Sequence, residues 1–277
     1  MGAKPLAGVI DPAKVAFYFP AGLKPFKRDL FSRVGGHIQD RGGRVIKNDA
    51  SRLERLPDDI VPVVGCMPET APLVAKWKAG GRTWIYWDRG YCRRIFATDL
   101  PPGKDGGYYR WHVNSFQMQT ARNCPDDRWR AMATPVSPWA KDGKHIVVAV
   151  PTPTYARFHG CEDWTEKTLA RLKEVTDRPI VVRDKEMQTS GRRKLHEDLR
   201  GAHCLVSHGS GAAVEAVFMG CPVFVHPDSA AALVGQTDIG RIEAPVYPDR
   251  QPWFNALAYS QFNERELVDG TLWRLLA

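Results

Sequence analysis

No apolar run in this 277-residue sequence approaches the length that spans a bilayer, so no membrane partner is expected. The opening stretch MGAKPLAGVIDPAKVAFYFPAG lacks the layout of a signal peptide, because Pro5, Asp11 and Lys14 interrupt any apolar core. A cytoplasmic location is the expectation. The Met-Gly start carries Leu6 where a myristoylation signal needs Ser or Thr. The six cysteines, Cys66, Cys92, Cys124, Cys161, Cys204 and Cys221, form no CxxC pair, so zinc-ligand spacing is missing. They read as free, buried thiols of a reducing cytoplasm. Internal repeats and low-complexity tracts are also missing.

What is present is the composition of an ordinary globular protein, 43% hydrophobic and 25% charged. The length suits one large or two smaller domains. The formal net charge is +8, which favours an anionic partner such as nucleic acid, a sugar nucleotide or an acidic polymer.

Apolar runs alternate with helix-like segments. AKVAFYFP reads as a buried strand, and residues 26–42 as a helix with Leu30, Val34 and Ile38 at four-residue spacing. GRVIK, DIVPVVGC and RTWIYWDRGY read as further strands, and ETAPLVAKWKAGG as a helix closed by glycines. Residues 98–142, dense in Pro, Gly, Asp and Arg with interleaved aromatics, read as irregular structure ending in a linker near Pro135–Lys144. A second alternation starts at HIVVAVPTPTYARFHG and runs through PIVVRDK, CLVSHG and PVFVHP. The expected fold class is therefore α/β: two Rossmann-like domains facing a cleft, with a C-terminal helix packing back across them. The expected limits are 1–140, 141–248 and 249–277.

The stretch VSHGSGAAVEAVFMGCPVFV places a Gly-Ser turn where a strand hands over to a helix. Helix N-termini offer free N–H groups and a positive dipole end, which bind phosphate. Gly209 and Gly211 would let the backbone approach an anion, Ser207 and Ser210 would donate or cap, and His208 would reach phosphate or sugar. Glu215, four residues past Gly211, suits the paired hydroxyls of a ribose. The alternative is a capped, tightly packed turn with a solvent-facing glutamate. Pro151 and Thr152 follow the first strand of the second half and would line the same crevice. Arg183 and Lys185 alternate after the next strand, which points both to one side, where two cations suit a diphosphate.

That stretch resembles the C-terminal-domain motif of GT-B glycosyltransferases, in which a His-Gly-Ser type turn, a Glu-Ala helix and Gly-x-Pro follow one another. The resemblance is close over about twenty residues and loose over the rest of the chain. It implies a nucleotide-sugar cosubstrate, a UDP-sugar in expectation, whose diphosphate and ribose are held here, with no separate cofactor. The chain has no Asp-x-Asp triplet of the metal-dependent kind, so no metal site is expected.

In the first half, WIYWDRGYCRR resembles the Glu-Asp-Gly-Phe-x-Arg stretch of capsule-polysaccharide transferases of the Kdo-transferring type, with the acidic pair reduced to Trp87-Asp88. An inverting sugar transfer needs a carboxylate to take the acceptor hydroxyl proton, and Asp88 is the candidate base. Its alternative is an ion pair with Arg89, Arg93 or Arg94. Arg89, Arg93, Arg94, Tyr109 and Arg110 are the candidate acceptor-binding residues. Arginines and aromatics interleave from Arg82 to Arg130, a composition suited to phosphate contacts and base stacking, or to a core cluster with a solvated rim.

The Pro-rich loop, YARFHGCEDW and the ending YPDRQPWFNALAYSQF resemble phage-encoded glycosyltransferases that decorate 5-hydroxymethylated pyrimidines in DNA. The resemblance implies double-stranded DNA as acceptor, a phage-infected bacterial cytoplasm and a monomer. Asp249, Arg250, Gln251 and Trp253 open the final helix and would touch donor or acceptor; for Trp253, as for Tyr259, packing is the alternative. Transfer to a capsule or lipid-linked glycan, and a non-catalytic nucleotide- or DNA-binding module, remain open beside that reading.

Overall fold

The computed structural model describes residues 10–23, 25–92, 107–184 and 194–276. The chain divides into two compact units: Met1–Phe116 with Tyr259–Ala277, and Gln117–Ala258. The break therefore falls at 116/117 rather than at 140/141. The Gln251–Tyr259 helix lies in the second unit up to Ala258, and only the last 19 residues join the first.

The first unit is built on a six-stranded sheet. Its strands are β1 (Val15–Phe19), β2 (Arg44–Lys47), β3 (Val61–Val64), β4 (Ile85–Arg89), β5 (Tyr108–Val113) and the late β10 (Gln261–Asn263). The spatial order is β10-β5-β4-β3-β1-β2. The pairings among β1 to β4 are parallel, while β5 runs antiparallel to β4 and β10 antiparallel to β5. VAFYF of β1 is apolar throughout because a central parallel strand is covered on both faces. The Pro25–Gln39 helix buries Leu30, Val34 and Ile38 on one stripe, the four-residue spacing seen in the sequence. The Ala71–Gly80 helix ends at Gly81, whose φ of +70° is the left-handed cap that glycine adopts without strain.

The second unit carries β6 (His145–Ala149), β7 (Ile180–Arg183), β8 (Ala202–Ser207) and β9 (Val223–Val225), all parallel in the order β7-β6-β8-β9. Ile146, Val148, Cys204, Val206 and Phe224 form one face of its core with Leu172 and Ile242. Elsewhere in this unit Trp129 stacks on Phe254 at 4.5 Å and 4°, beside Phe218 and Trp253.

Two expectations are corrected. The stretch 98–142 is not irregular throughout: it holds β5 and the Asp127–Met132 helix. Tyr109, Trp111 and Trp129 of this stretch are buried in the core, which composition alone does not reveal. The C-terminal helix expected within 249–277 ends at Tyr259, and Gln261 lies beyond it in β10, paired with Arg110. A three-residue strand has no periodicity to show; pairing with β5 creates it.

Candidate functional site

Each sheet reverses its strand order once, between β1 and β3 in the first unit and between β6 and β8 in the second. Loops leaving the carboxyl ends of such neighbouring strands diverge and open a crevice, the place where open α/β sheets bind ligands.

In the second unit the two diverging loops are 150–152 and 208–210, and each starts a helix. Thr152, extended at φ −67° and ψ 153°, caps the Pro153–His159 helix by accepting from Tyr155 N. Pro151 stands half-buried before it. Ser210, at φ −68° and ψ 145°, caps the Gly211–Phe218 helix by accepting from Ala212 N at 3.2 Å. Ser210, Gly211, Ala212 and Glu215 are half-exposed, whereas Ser207, His208 and Gly209 are buried. The turn thus presents its helix end to solvent and its strand end to the interior.

That division alters several expected roles. Ser207 Oγ accepts from Ser210 N at 3.1 Å, so this hydroxyl closes the turn. A Cβ on Gly209 would run into the Tyr155 hydroxyl, so the missing side chain makes room for Tyr155 rather than for an approaching anion. Gln117 fastens the turn from beneath: its Nε2 donates to Gly209 O at 2.7 Å, and its Oε1 accepts from Ala230 N at 3.0 Å. Arg183 does not point outward. It is buried and ion-paired with buried Asp198, since a desolvated cation needs an opposite charge. Lys185, Arg93 and Arg94 lie outside the described residues.

The sequence reading missed the histidine and tyrosine around His208. His226, one residue past β9, stacks on His208 with centroids 4.3 Å apart and planes at 15°. Tyr155 Oη lies 3.2 Å from His208 Nδ1, and its ring packs on His159 at 4.1 Å. Burial and then the neighbouring His226 push His208 down from 6.5 to about 4, against the opposing charge of Asp228. His208 is accordingly a neutral imidazole at pH 7. The one available signal was His226 itself, a histidine at the carboxyl end of a predicted strand. Among the described residues no group of three or more His, Cys, Asp or Glu side chains is arranged to hold a metal ion.

In the first unit an open pocket lies over the carboxyl ends of the sheet. The helix after β1 contributes Lys27, Leu30 and Phe31, the turn after β3 contributes Met67, and β4 and β5 contribute Trp87, Asp88, Arg89 and Tyr109. Asp88 is its carboxylate. Oδ1 accepts from Arg89 N at 2.8 Å, and Oδ2 accepts from Arg110 Nη2 at 3.0 Å and from Tyr86 Oη at 3.4 Å. The expected ion pair with a neighbouring arginine is found instead with Arg110, directly opposite on β5. Arg110 is buried, 6% exposed, so its charge is engaged inward and it does not offer itself to an acceptor. Burial works against that charge, but Asp88 and the adjoining tyrosines outweigh it and raise Arg110 above its ordinary value. Burial, with Asp88 adding to it, raises Cys66 to about 12.

Tyr109 borders the pocket, but its hydroxyl is turned to Glu264 at 3.5 Å, and burial followed by Glu264 raises it to about 12. Phe17, Phe31, Trp87, Trp111 and Tyr109 pack in one cluster. Trp84 and Tyr91 are likewise buried, so this part of the basic–aromatic stripe is core, not a stacking surface. Arg82 donates to the carbonyls of Leu56, Pro57 and Ile60, another structural use of a residue from that stripe.

No protein-family model matches the sequence, and no curated protein does. Among solved structures, a Thermosulfurimonas dismutans KpsC β-Kdo 2,7-transferase aligns over 93% of this chain and 99% of its own, with a TM-score of 0.52 and 14% identity. The fold is of the GT-B type. A β-Kdo 2,4-transferase of KpsC from the same organism covers 92% of this chain and 98% of its own, at a TM-score of 0.49 and 12% identity. Among the described residues, no helix is long and apolar enough to cross a membrane.

Proposed function

We propose that this chain is a glycosyltransferase that moves a sugar from a nucleotide-sugar donor to the hydroxyl of a 5-hydroxymethylated pyrimidine in DNA. The observation that carries the transferase reading is Asp88: a carboxylate at the carboxyl end of β4, lining an open pocket, in a fold shared with a sugar transferase. The donor, in this reading a UDP-sugar, is assigned to the second unit. The half-exposed N-terminus of the Gly211–Phe218 helix supplies N–H groups for its phosphates, and Glu215 serves the ribose hydroxyls. The buried, neutral His208 supports the turn that shapes this end.

The acceptor is assigned to the first unit. Asp88 takes the proton of the acceptor hydroxyl as its oxygen bonds to the anomeric carbon. The bond from that carbon to the donor phosphate breaks, and the nucleotide diphosphate leaves with the electron pair. Lys27 and Arg89 on the pocket rim place positive charge where a phosphodiester would lie. Together with the net charge of +8, these rim cations support an anionic acceptor.

The likeness to a Kdo transferase favours a second reading, the same chemistry on a capsule or lipid-linked glycan. One experiment addresses both: transfer of radiolabelled sugar from a panel of UDP-sugars to hydroxymethylated DNA, plain DNA and an acidic glycan. Labelling of hydroxymethylated DNA alone is the expected outcome, and labelling of the glycan alone would move the second reading ahead. Asp88→Asn is expected to abolish transfer and, because it leaves the buried Arg110 without its carboxylate, to lower the melting temperature by several degrees while the protein still folds. Undiminished transfer by that variant would refute the base assignment.

A further inference from the structure

Asp88 differs from an ordinary surface aspartate in how fully its carboxylate is held. Its side chain is 40% exposed, yet the cation it meets is almost wholly enclosed, the Arg110 side chain being 7% exposed. The guanidinium sits between two aromatic faces, its carbon 5.8 Å from the Tyr86 ring centre and 5.4 Å from that of Tyr91. Each tyrosine is itself fixed. Tyr86 is 1% exposed on β4, and Tyr91 Oη lies 2.9 Å from His112 Nε2. The backbone just after Asp88 is also pinned, since Gln261 Oε1 on β10 accepts from Tyr91 N at 2.8 Å and Cys92 N at 3.0 Å. Gly90 fits there because a Cβ would collide with Gln261 Oε1 and Tyr108 O. Arg110 is thus enclosed against both rings and bonded to Asp88, which ties the carboxylate to it.

We infer that Arg110 is a positioning residue for Asp88, acting from the interior of the sheet through the cross-strand pair of β4 and β5. An ionised carboxylate offers about four acceptor sites. Three are taken, by Arg89 N, Arg110 Nη2 and Tyr86 Oη. The remaining lone pair is fixed in direction, and a hydroxyl entering the pocket meets it without a search over rotamers. Arg110 itself touches no substrate. This inference rests on the reading of Asp88 as the base, but its structural half can be judged without that reading.

The experiment compares wild type, Arg110→Met, Arg110→Lys and Asp88→Asn. It uses transfer kinetics with UDP-sugars on hydroxymethylated DNA and crystal structures of the two Arg110 variants. In Arg110→Met the Asp88 carboxylate is expected to leave its place by about 1 Å or more, and kcat to fall on the order of 100-fold with both KM values nearly unchanged. Arg110→Lys, which keeps the charge and loses the fork, is expected to hold one carboxylate oxygen and recover about a tenth of the rate. It carries the test alone if Arg110→Met does not fold. A carboxylate unmoved in the variants, or a rise in KM with kcat intact, would overturn the inference even where Asp88→Asn is inactive. Conversely, an active Asp88→Asn with a displaced Asp88 in Arg110→Met would sink the base assignment and keep the positioning role.

Discussion

Acidification is expected to loosen the second unit through one imidazole, His208. The ring is 9% exposed, stacked at 4.3 Å on His226, within 3.2 Å of Tyr155 Oη and edge-on to Trp164 at 6.0 Å. Burial and His226 lower it from 6.5 to about 4, and Asp228 only partly offsets them. Because the folded value lies below the unfolded one, the unfolded chain binds the proton first. The contribution is full above about pH 6.5, is lost as the pH falls towards 4, and is flat below. At about 1.4 kcal/mol per pH unit the drop has a ceiling of roughly 3 kcal/mol, and solvent at the rim of the turn reduces it to about 1–2 kcal/mol.

Two measurements check this prediction. The His208 Hε1 resonance should titrate near pH 4, and His226→Gln should raise that midpoint while leaving it below the ordinary value, since burial is the larger cause. Urea unfolding of wild type and His208→Gln should diverge between pH 7 and 4, the variant losing less stability by about 1–2 kcal/mol. A difference that stays constant across that range, or a midpoint near 6.5, would refute the reasoning.

Glu215→Ala should raise the donor KM about tenfold at nearly constant kcat, measured on hydroxymethylated DNA, as expected for a lost ribose contact made equally in ground and transition states. Cys66, raised to about 12 by burial and Asp88, should react with iodoacetamide at pH 8 more than about 100-fold slower in the native protein than in urea. Gly220→Ala should cost about 3 kcal/mol in thermal unfolding, since φ is +75° and a Cβ would strike the Pro138 carbonyl oxygen. A melting temperature within a degree of wild type would contradict that clash.

Much of the site was legible because it is local. A serine before a small-residue helix announces its cap, and Ser210 and Thr152 fill that role. Asp88 at the end of an apolar run was visible as a carboxylate at a strand's carboxyl edge. The charges flanking these positions were not legible in the same way. Arg110 and Arg183 read as cations awaiting an anion, but both turn inward onto aspartates, 22 and 15 residues away in sequence. Nothing local marks which of many arginines is enclosed. The aromatic stripe was equally ambiguous, because tryptophan and tyrosine suit a core and a stacking surface alike.

The sequence by itself determined the alternation of strands and helices, the two α/β halves and the caps that open helices at strand ends, because each depends on residues within one or two turns. Tertiary structure alone decided that the last residues return to pair with β5, that Tyr155 fills the space beside Gly209, and that His226 meets His208. It also decided that Asp88 is clamped by the arginine across from it. These are pairings between distant segments, and only strand order and register bring them together; no window along the chain contains both partners.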